Sequence, residues 1–91
     1  MRIEASVPLL ISDCTNGEPR FWLEAETLAE ALDKLVETYP KLKVHLYTEQ
    51  GEVRKHVLIY YNETNTAWLD HYDFPLQPGD KLRVLQAVSG G

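Results

Sequence analysis

Cysteine and long apolar runs are both scarce in this 91-residue chain. Its single cysteine, Cys14, excludes an internal disulfide and is compatible with a reducing compartment. The longest apolar stretches, residues 57–61 and 7–11, fall far short of the roughly 20 residues that span a bilayer. Residues 1–4 alternate apolar and charged side chains, and they lack the apolar segment of a signal peptide. We therefore expect a cytoplasmic protein with no membrane partner.

Positive charge is also in short supply, since the net charge is −5. Nucleic-acid binding depends on neutralising phosphates with Lys and Arg, so no nucleic-acid partner is expected. Eight acids and three bases fall within residues 1–38. A mixed solvated surface is the simpler interpretation, and an acidic face that steers toward a basic partner is the alternative. The chain has no glycine-rich phosphate loop, so it is not expected to bind ATP itself.

Residues that could hold a metal or act as nucleophiles are few and scattered. His45, His56 and His71 do not have the spacing of metal ligands, so no metal site is expected. Cys14 lies in a predicted turn without a neighbouring histidine, and we interpret it as an incidental thiol. Several aromatic residues are expected mainly in the core or in cross-strand pairs: Trp22, Tyr60, Tyr61 and Trp68.

The first half of the sequence predicts two strands and a helix. Residues 2–8 and 20–25 alternate apolar and polar positions, and the turn cluster 13–19 between them predicts an antiparallel pair. Thr27 and Glu30 have the spacing of a capping box, and an apolar stripe at helical spacing follows them. Pro40 ends this run, so the pattern predicts one main helix over about residues 28–39.

The second half predicts more strands and leaves one segment open. Residues 40–55 form either a short helical turn or an extended piece, closed by a turn at 49–52. The remaining predicted elements are a strand at 56–61, a turn at 62–65, a short edge piece at 67–69, a turn at 76–80 and a final strand at 81–88. This order predicts an α+β protein of the β-grasp type, with a mixed sheet of four to five strands packed on the main helix.

The end of the sequence is unusual because an apolar strand pattern runs directly into Ser89, Gly90 and Gly91. Glycine has no Cβ, so a Gly-Gly terminus can enter a channel too narrow for other residues. We therefore predict a single domain over residues 1–88 and a flexible reactive tail over residues 89–91. In this interpretation Gly91 supplies a reactive carboxylate, and Gly90 and Ser89 are the small residues that allow it to enter a narrow channel.

Several segments together resemble the ubiquitin-like sulfur-carrier proteins. The matching segments are the opening strand, the Thr27-capped helix, the strand ending at Asn62, the Gly79-Asp80 turn before a hydrophobic strand, and the terminal Gly-Gly. This family includes the small subunit of molybdopterin synthase and the carriers of the thiamine and cysteine pathways. The extended region 40–55 looks more like the cysteine-type or molybdopterin-type carriers. The sequence does not identify the pathway, which is open among molybdopterin, cysteine, thiamine and secondary metabolism.

The resemblance implies a function in which this chain is a co-substrate and not an enzyme. A ubiquitin-activating-type enzyme would use ATP to adenylate the Gly91 carboxylate. Sulfur from a desulfurase, a rhodanese or sulfide would then convert it to a thiocarboxylate, which a downstream biosynthetic enzyme accepts. The resemblance implies that the chain binds no cofactor of its own.

The same resemblance implies a partner-binding surface next to the tail. If Leu82 and Val84 face the helix, Arg83 and Leu85 face outward, and an exposed apolar residue often marks an interface. We predict that Leu85, Arg83 and Val88 bind the partner enzymes. Two alternatives stay open: a ubiquitin-like modifier that is joined through Gly91 to lysines, and a plain β-grasp interaction module.

Overall fold

The computed structural model describes residues 1–86, whose strands form one mixed sheet. The strands are β1 (Arg2–Ser6), β2 (Arg20–Glu24), β3 (Val57–Tyr61), β4 (Thr64–Asn65) and β5 (Lys81–Gln86). Their spatial order is β2-β1-β5-β3-β4. The central pair β1 and β5 is parallel, and every other pair is antiparallel. This arrangement confirms the predicted α+β class with a mixed β-grasp sheet.

The main helix, α1 (Leu28–Thr38), begins at the predicted cap. The Thr27 hydroxyl accepts a hydrogen bond from the Glu30 backbone N–H at 3.1 Å. The Glu30 carboxylate accepts a hydrogen bond from the backbone N–H of Glu26 at 3.3 Å, one residue before the predicted recipient. Two backbone donors at the helix start are therefore satisfied, which is the purpose of a capping box.

Pro40 ends α1 and also starts a second helix, α2 (Pro40–Leu46), so α1 ends one residue earlier than predicted. Tyr39 adopts φ −129° and ψ 82°, because a residue before proline is sterically excluded from the helical region. Proline is favourable at the first helical position, where its missing N–H costs nothing. Of the two interpretations of residues 40–55, the helical one is confirmed. Leu42 and Leu46 anchor α2 in the core, where both side chains are fully buried.

The core lies between the two helices and one face of the sheet. Alternate residues of each long strand point into it, as the period of two along a strand requires. The buried strand residues are Ile3, Ala5, Phe21, Leu23, Val57, Ile59, Leu82 and Val84. From α1 they meet Leu28, Ala31 and Leu35. The opposite face of the sheet carries the exposed and half-buried side chains that alternate with the buried ones.

One local prediction is partly wrong and another is wrong. The turn cluster 13–19 is partly helical, because a 3-10 helix covers Leu9–Thr15 and the turn proper is at Asn16 and Gly17, both at positive φ. The predicted edge piece at 67–69 is not a strand, because residues 66–68 form a 3-10 helix and the edge strand is β4. The second 3-10 helix is held against β3, where the Thr66 hydroxyl donates to the Ile59 carbonyl at 2.9 Å.

The expectation for the aromatic residues is also partly wrong. Trp22 and Trp68 are 54% and 75% exposed, so neither tryptophan is a core residue. Trp22 instead lies under the guanidinium of Arg2, whose Cζ is 4.7 Å from the ring centroid. Tyr61 follows the prediction more closely, since it is partly buried and packs on Phe74 with ring centroids 5.2 Å apart.

The turn before β5 is held by one buried carboxylate, that of Asp80. It accepts hydrogen bonds from the Tyr61 hydroxyl, from the Asn62 amide nitrogen at 3.1 Å and from the Gln77 backbone N–H at 2.7 Å. Gly79 precedes it at φ +89°, a conformation that glycine adopts without steric cost. The Gly79-Asp80 pair therefore ties the start of β5 to the end of β3.

The surroundings of Asp80 shift two pKa values in opposite directions. Burial alone would raise the pKa of Asp80, but the three hydrogen bonds from Tyr61, Gln77 and Asn62 hold it below its ordinary value. Burial, together with the hydrogen bond to Asp80, raises the pKa of Tyr61 to about 12. The pair is thus an ionised carboxylate and a neutral phenol across the whole neutral pH range.

Replacing Asp80 tests this turn. We expect Asp80→Asn to lower the free energy of unfolding by about 1–3 kcal/mol at pH 7, because buried donors lose a charged acceptor. A lowered pKa in the folded state stabilises the fold above about pH 4 and stops doing so as the pH falls through that folded value. The difference in free energy of unfolding between Asp80→Asn and the unsubstituted chain should therefore be smaller at pH 3 than at pH 7, as measured by urea unfolding.

The matched control is Asp70→Asn, which changes an exposed carboxylate and should leave the unfolding curve nearly unchanged. Equal stability of Asp80→Asn and the unsubstituted chain at pH 7 would contradict this account of the turn.

Candidate functional site at the outer face of the sheet

Strand β5 presents different side chains to its two faces. Leu82 and Val84 are 1% and 2% exposed and point toward the helices. Arg83 is exposed on the opposite, outer face, where Leu85 is 38% exposed. The predicted face assignment of this strand is therefore correct, while the partner-binding role of Arg83 and Leu85 stays a prediction.

Leu85 is part of a larger apolar surface, here called the Leu85 patch: Pro8, Leu10, Leu58 and Leu85. Leu58 lies directly opposite Leu85 in the antiparallel β3–β5 pair, and it is half-buried. Pro8 and Leu10 line a groove of about 540 Å³ together with Leu85. Exposed apolar surface of this kind is costly to leave in water and is typical of a protein interface.

Sequence reasoning missed the contribution of Pro8 and Leu10 to this patch. The 3-10 segment Leu9–Thr15 is kinked at Ile11, which has non-helical dihedral angles, and it buries Ile11 and Cys14 against the core. Leu9 and Leu10 point outward and are 78% and 81% exposed. The apolar stretch 7–11 was the available signal, but its partner across the fold is visible only in three dimensions.

Arg83 lies near the centre of the outer face. One of its terminal nitrogens donates a hydrogen bond to the Asn62 backbone carbonyl at 3.3 Å, which holds the side chain over the β3–β4 turn. Across the sheet, Arg83 is paired with Ser6 of β1 on one side and with Tyr60 of β3 on the other. A guanidinium has five N–H donors, so most of them stay available to a ligand.

The described part of the chain ends at Gln86, beside this surface. Gln86, the last described residue, pairs with Val57 and also lines the groove next to Leu85. Val88, Ser89, Gly90 and Gly91 lie outside the described residues, so the structure does not test the roles predicted for them. The described part of the chain therefore ends at the edge of the Leu85 patch.

Residues with catalytic or metal-binding side chains do not gather at any one place in residues 1–86. No three His, Cys, Asp or Glu side chains within that range are grouped as metal ligands would be. Cys14 is a free thiol and only 8% exposed, packed among core residues. No helix within the described range is long and apolar enough to cross a bilayer.

Comparison with known proteins identifies the family. The model of the ThiS family matches residues 12–91, which is most of the chain. Sulfur carrier protein CysO of Mycobacterium tuberculosis is 24% identical over 93 residues, and the match covers all of both chains. CysO of Mycobacterium bovis matches to the same extent.

Solved structures share the fold over nearly the whole chain. CysO in the Amycolatopsis orientalis BexX/CysO complex superimposes with a TM-score of 0.78 at 24% identity, covering 98% of this chain and 99% of that one. SAMP1 of Haloferax volcanii superimposes with a TM-score of 0.77 at 22% identity, covering all of both chains. These likenesses agree with the β-grasp topology of the sheet, and the family match confirms the resemblance in the sequence. The chain belongs to the ThiS family of ubiquitin-like sulfur-carrier proteins.

Proposed function

We propose that this protein is a small sulfur carrier whose Gly91 carboxylate is converted to a thiocarboxylate. The observation that carries the proposal is the family match, which extends through Gly91. The full-length likeness to proteins named sulfur carrier protein CysO supports it. The protein would act in the cytoplasm as a co-substrate of other enzymes, and not as an enzyme itself.

The proposed chemistry needs two steps at one carbon atom. First, an oxygen of the Gly91 carboxylate attacks the α-phosphorus of ATP on an activating enzyme, and pyrophosphate leaves. Second, sulfur from sulfide, a desulfurase or a rhodanese attacks the acyl carbon and expels AMP. When the sulfur arrives as an enzyme-bound persulfide, a thiol must also reduce the resulting acyl disulfide. The product is a thiocarboxylate, which a recipient biosynthetic enzyme consumes.

The folded domain would bind the partner enzymes, and the C-terminal residues would extend the carboxylate to their active sites. Gly91 is five positions beyond Gln86, so the carboxylate lies at most about 18 Å from the end of the described chain. A partner seated on the Leu85 patch would therefore have its active site within that distance. Tethering the reacting group in this way replaces a diffusional encounter with a local one and raises its effective concentration.

The same surface is our candidate for both partner enzymes. A few residues usually supply most of the binding energy of an interface, and Leu85 with Leu10 would form its apolar part. Arg83 lies next to it on the same strand and the same face. The BexX/CysO complex supports the idea of a protein partner, since there a CysO assembles with another protein.

A ubiquitin-like modifier is the second candidate function. SAMP1 of Methanosarcina acetivorans is named a small archaeal modifier protein, and it shares the fold with a TM-score of 0.74. Both functions begin with adenylation of the terminal carboxylate and separate afterwards. Intact-mass analysis after co-expression with the activating enzyme distinguishes them. An oxygen-to-sulfur gain in mass supports the carrier, and isopeptide adducts on other proteins support the modifier.

Changes at the terminus test whether Gly91 is the reacting residue. Deleting Gly91, or adding one alanine after it, should abolish adenylation in a pyrophosphate-exchange assay, because the carboxylate no longer fits the activating site. Thermal unfolding should be unchanged in both variants. The matched control is Ser89→Ala, which keeps the length and both glycines and should retain adenylation. Normal exchange by either length variant would sink the proposal.

A charged residue in the Leu85 patch tests the docking surface. Leu85→Asp should weaken binding to the activating enzyme at least tenfold, or about 1.4 kcal/mol, measured by isothermal titration calorimetry. Its free energy of unfolding should change by only about 0.5 kcal/mol, because Leu85 is on the surface. Val44→Asp is the control, since Val44 is 69% exposed on α2 and lies outside the patch.

Two outcomes would contradict the docking surface. The first is unchanged binding of the Leu85→Asp variant. The second is an equal loss of affinity in Leu85→Asp and Val44→Asp, which would show a general effect of added negative charge.

A further inference from the structure

The outer face of the sheet has the opposite charge balance to the whole chain. The chain has a net charge of −5. The outward-pointing strand residues nevertheless include more bases than acids, the bases being Arg2, Arg20, Lys81 and Arg83 and the acids Glu4 and Glu24. An excess of positive charge on one face of an acidic protein is a feature that the fold itself does not require.

Contacts within the chain occupy most of these charges. Glu24 lies 3.4 Å from the N-terminal amino group, and Glu4 lies 4.0 Å from the Lys81 ammonium. Arg2 lies over the ring of Trp22. Within residues 1–86, by contrast, no carboxylate oxygen lies within 4.0 Å of Arg20 or Arg83. Two guanidinium groups on this face thus have no acidic partner in the described part of the chain.

Strand pairing places these two arginines in one row across the sheet. Ser6 of β1 is paired with Arg20 of β2 on one side and with Arg83 of β5 on the other. Neighbouring strands are about 5 Å apart, so the two arginine Cα atoms are about 10 Å apart. The row lies in a groove of about 700 Å³ lined by Glu4, Ser6, Arg20, Asn62, Glu63, Thr64, Lys81, Leu82 and Arg83.

We propose that this groove, here called the arginine groove, binds an acidic segment of a protein partner through carboxylates held by Arg20 and Arg83. The planar guanidinium donates two parallel hydrogen bonds to a carboxylate, which gives geometric selectivity as well as affinity. In an extended segment, acidic residues at alternate positions point to one face about 7 Å apart. This spacing is shorter than the separation of about 10 Å between the two arginine Cα atoms, and the long arginine side chains are able to bridge the difference.

The partner's identity follows from the position of the groove and rests on the function proposed above. Arg83 and Leu85 are two residues apart on β5 and share the outer face, so a protein that covers the Leu85 patch also meets the groove. Two carboxylates, Glu4 and Glu63, also line the groove and disfavour a ligand as highly charged as a nucleic acid. The partner is therefore expected to present an apolar contact for Leu85 flanked by acidic residues.

A titration of the full chain followed by NMR tests the proposal with a hexaglutamate peptide as the probe. In a two-dimensional amide spectrum at low salt, the peptide should shift the signals of Ser6, Arg20 and Arg83 in a saturable way. The double variant Arg20→Gln/Arg83→Gln should bind at least tenfold more weakly, because both charge-assisted contacts are lost. Glu63→Gln should bind more tightly than the unsubstituted chain, because a repelling carboxylate is gone.

The matched control is Lys41→Gln/Lys43→Gln, which removes the same positive charge from exposed positions on α2. It should bind the peptide within twofold of the unsubstituted chain. An equal loss in both double variants would overturn the proposal in favour of general charge attraction. Comparable shifts with inorganic phosphate or with oligothymidylate would overturn it in favour of an unselective anion site. Thermal unfolding of each variant shows that it is folded.

Peptide binding and adenylation are measured separately on the same chain. A protein that is adenylated at Gly91 but does not bind hexaglutamate contradicts the arginine groove alone. A protein that binds the peptide at the arginine groove but is never adenylated contradicts the proposed function alone.

Discussion

The placement of β5 between β1 and β3 is the constraint on which the rest of the structure depends. Its inner residues Leu82 and Val84 complete the core, and its outer residues Arg83 and Leu85 form the candidate site. A shift of one residue in this strand would exchange the two sets of side chains. The Asp80 carboxylate and the neighbouring Asn62, which accepts from the Lys81 backbone N–H at 2.9 Å, fix where the strand begins. A small polar turn thereby determines which side chains reach a partner.

Much of the fold is predictable from local signals, because it rests on short-range physics. The Thr27 cap, the 3.6-residue stripe of α1 and the alternation of the strands depend on neighbours within a few residues. The 3-10 helix at residues 9–15 and the shift of the edge strand to residues 64–65 do not, since tertiary packing decides them. Pro40 shows the limit of local signals. A proline can end one helix or begin another, and the sequence does not distinguish these outcomes.

The candidate site also has a part that the sequence predicts and a part that it does not. The outward direction of Leu85 and Arg83 follows from counting along one strand, so sequence reasoning finds it. Leu10 joins Leu85 across some 75 positions of sequence, and Arg20 joins Arg83 only through Ser6 of the intervening strand. The turn between β1 and β2 predicts that Arg20 is near Ser6, but the contact of β5 with β1 joins the two ends of the chain and has no local signal. The structure thus extends the predicted residues Leu85 and Arg83 to a surface with an apolar part and a cationic part.

If the terminus becomes an activated acyl group, as proposed, the buried position of Cys14 has a consequence. Its 3-10 segment also carries Leu10, which lines the groove next to Gln86. An accessible thiolate there would compete with the sulfur donor, attack the adenylate and close the protein into a thioester lariat. Packing Cys14 into the core, where it is 8% exposed, suppresses that self-acylation without removing the cysteine.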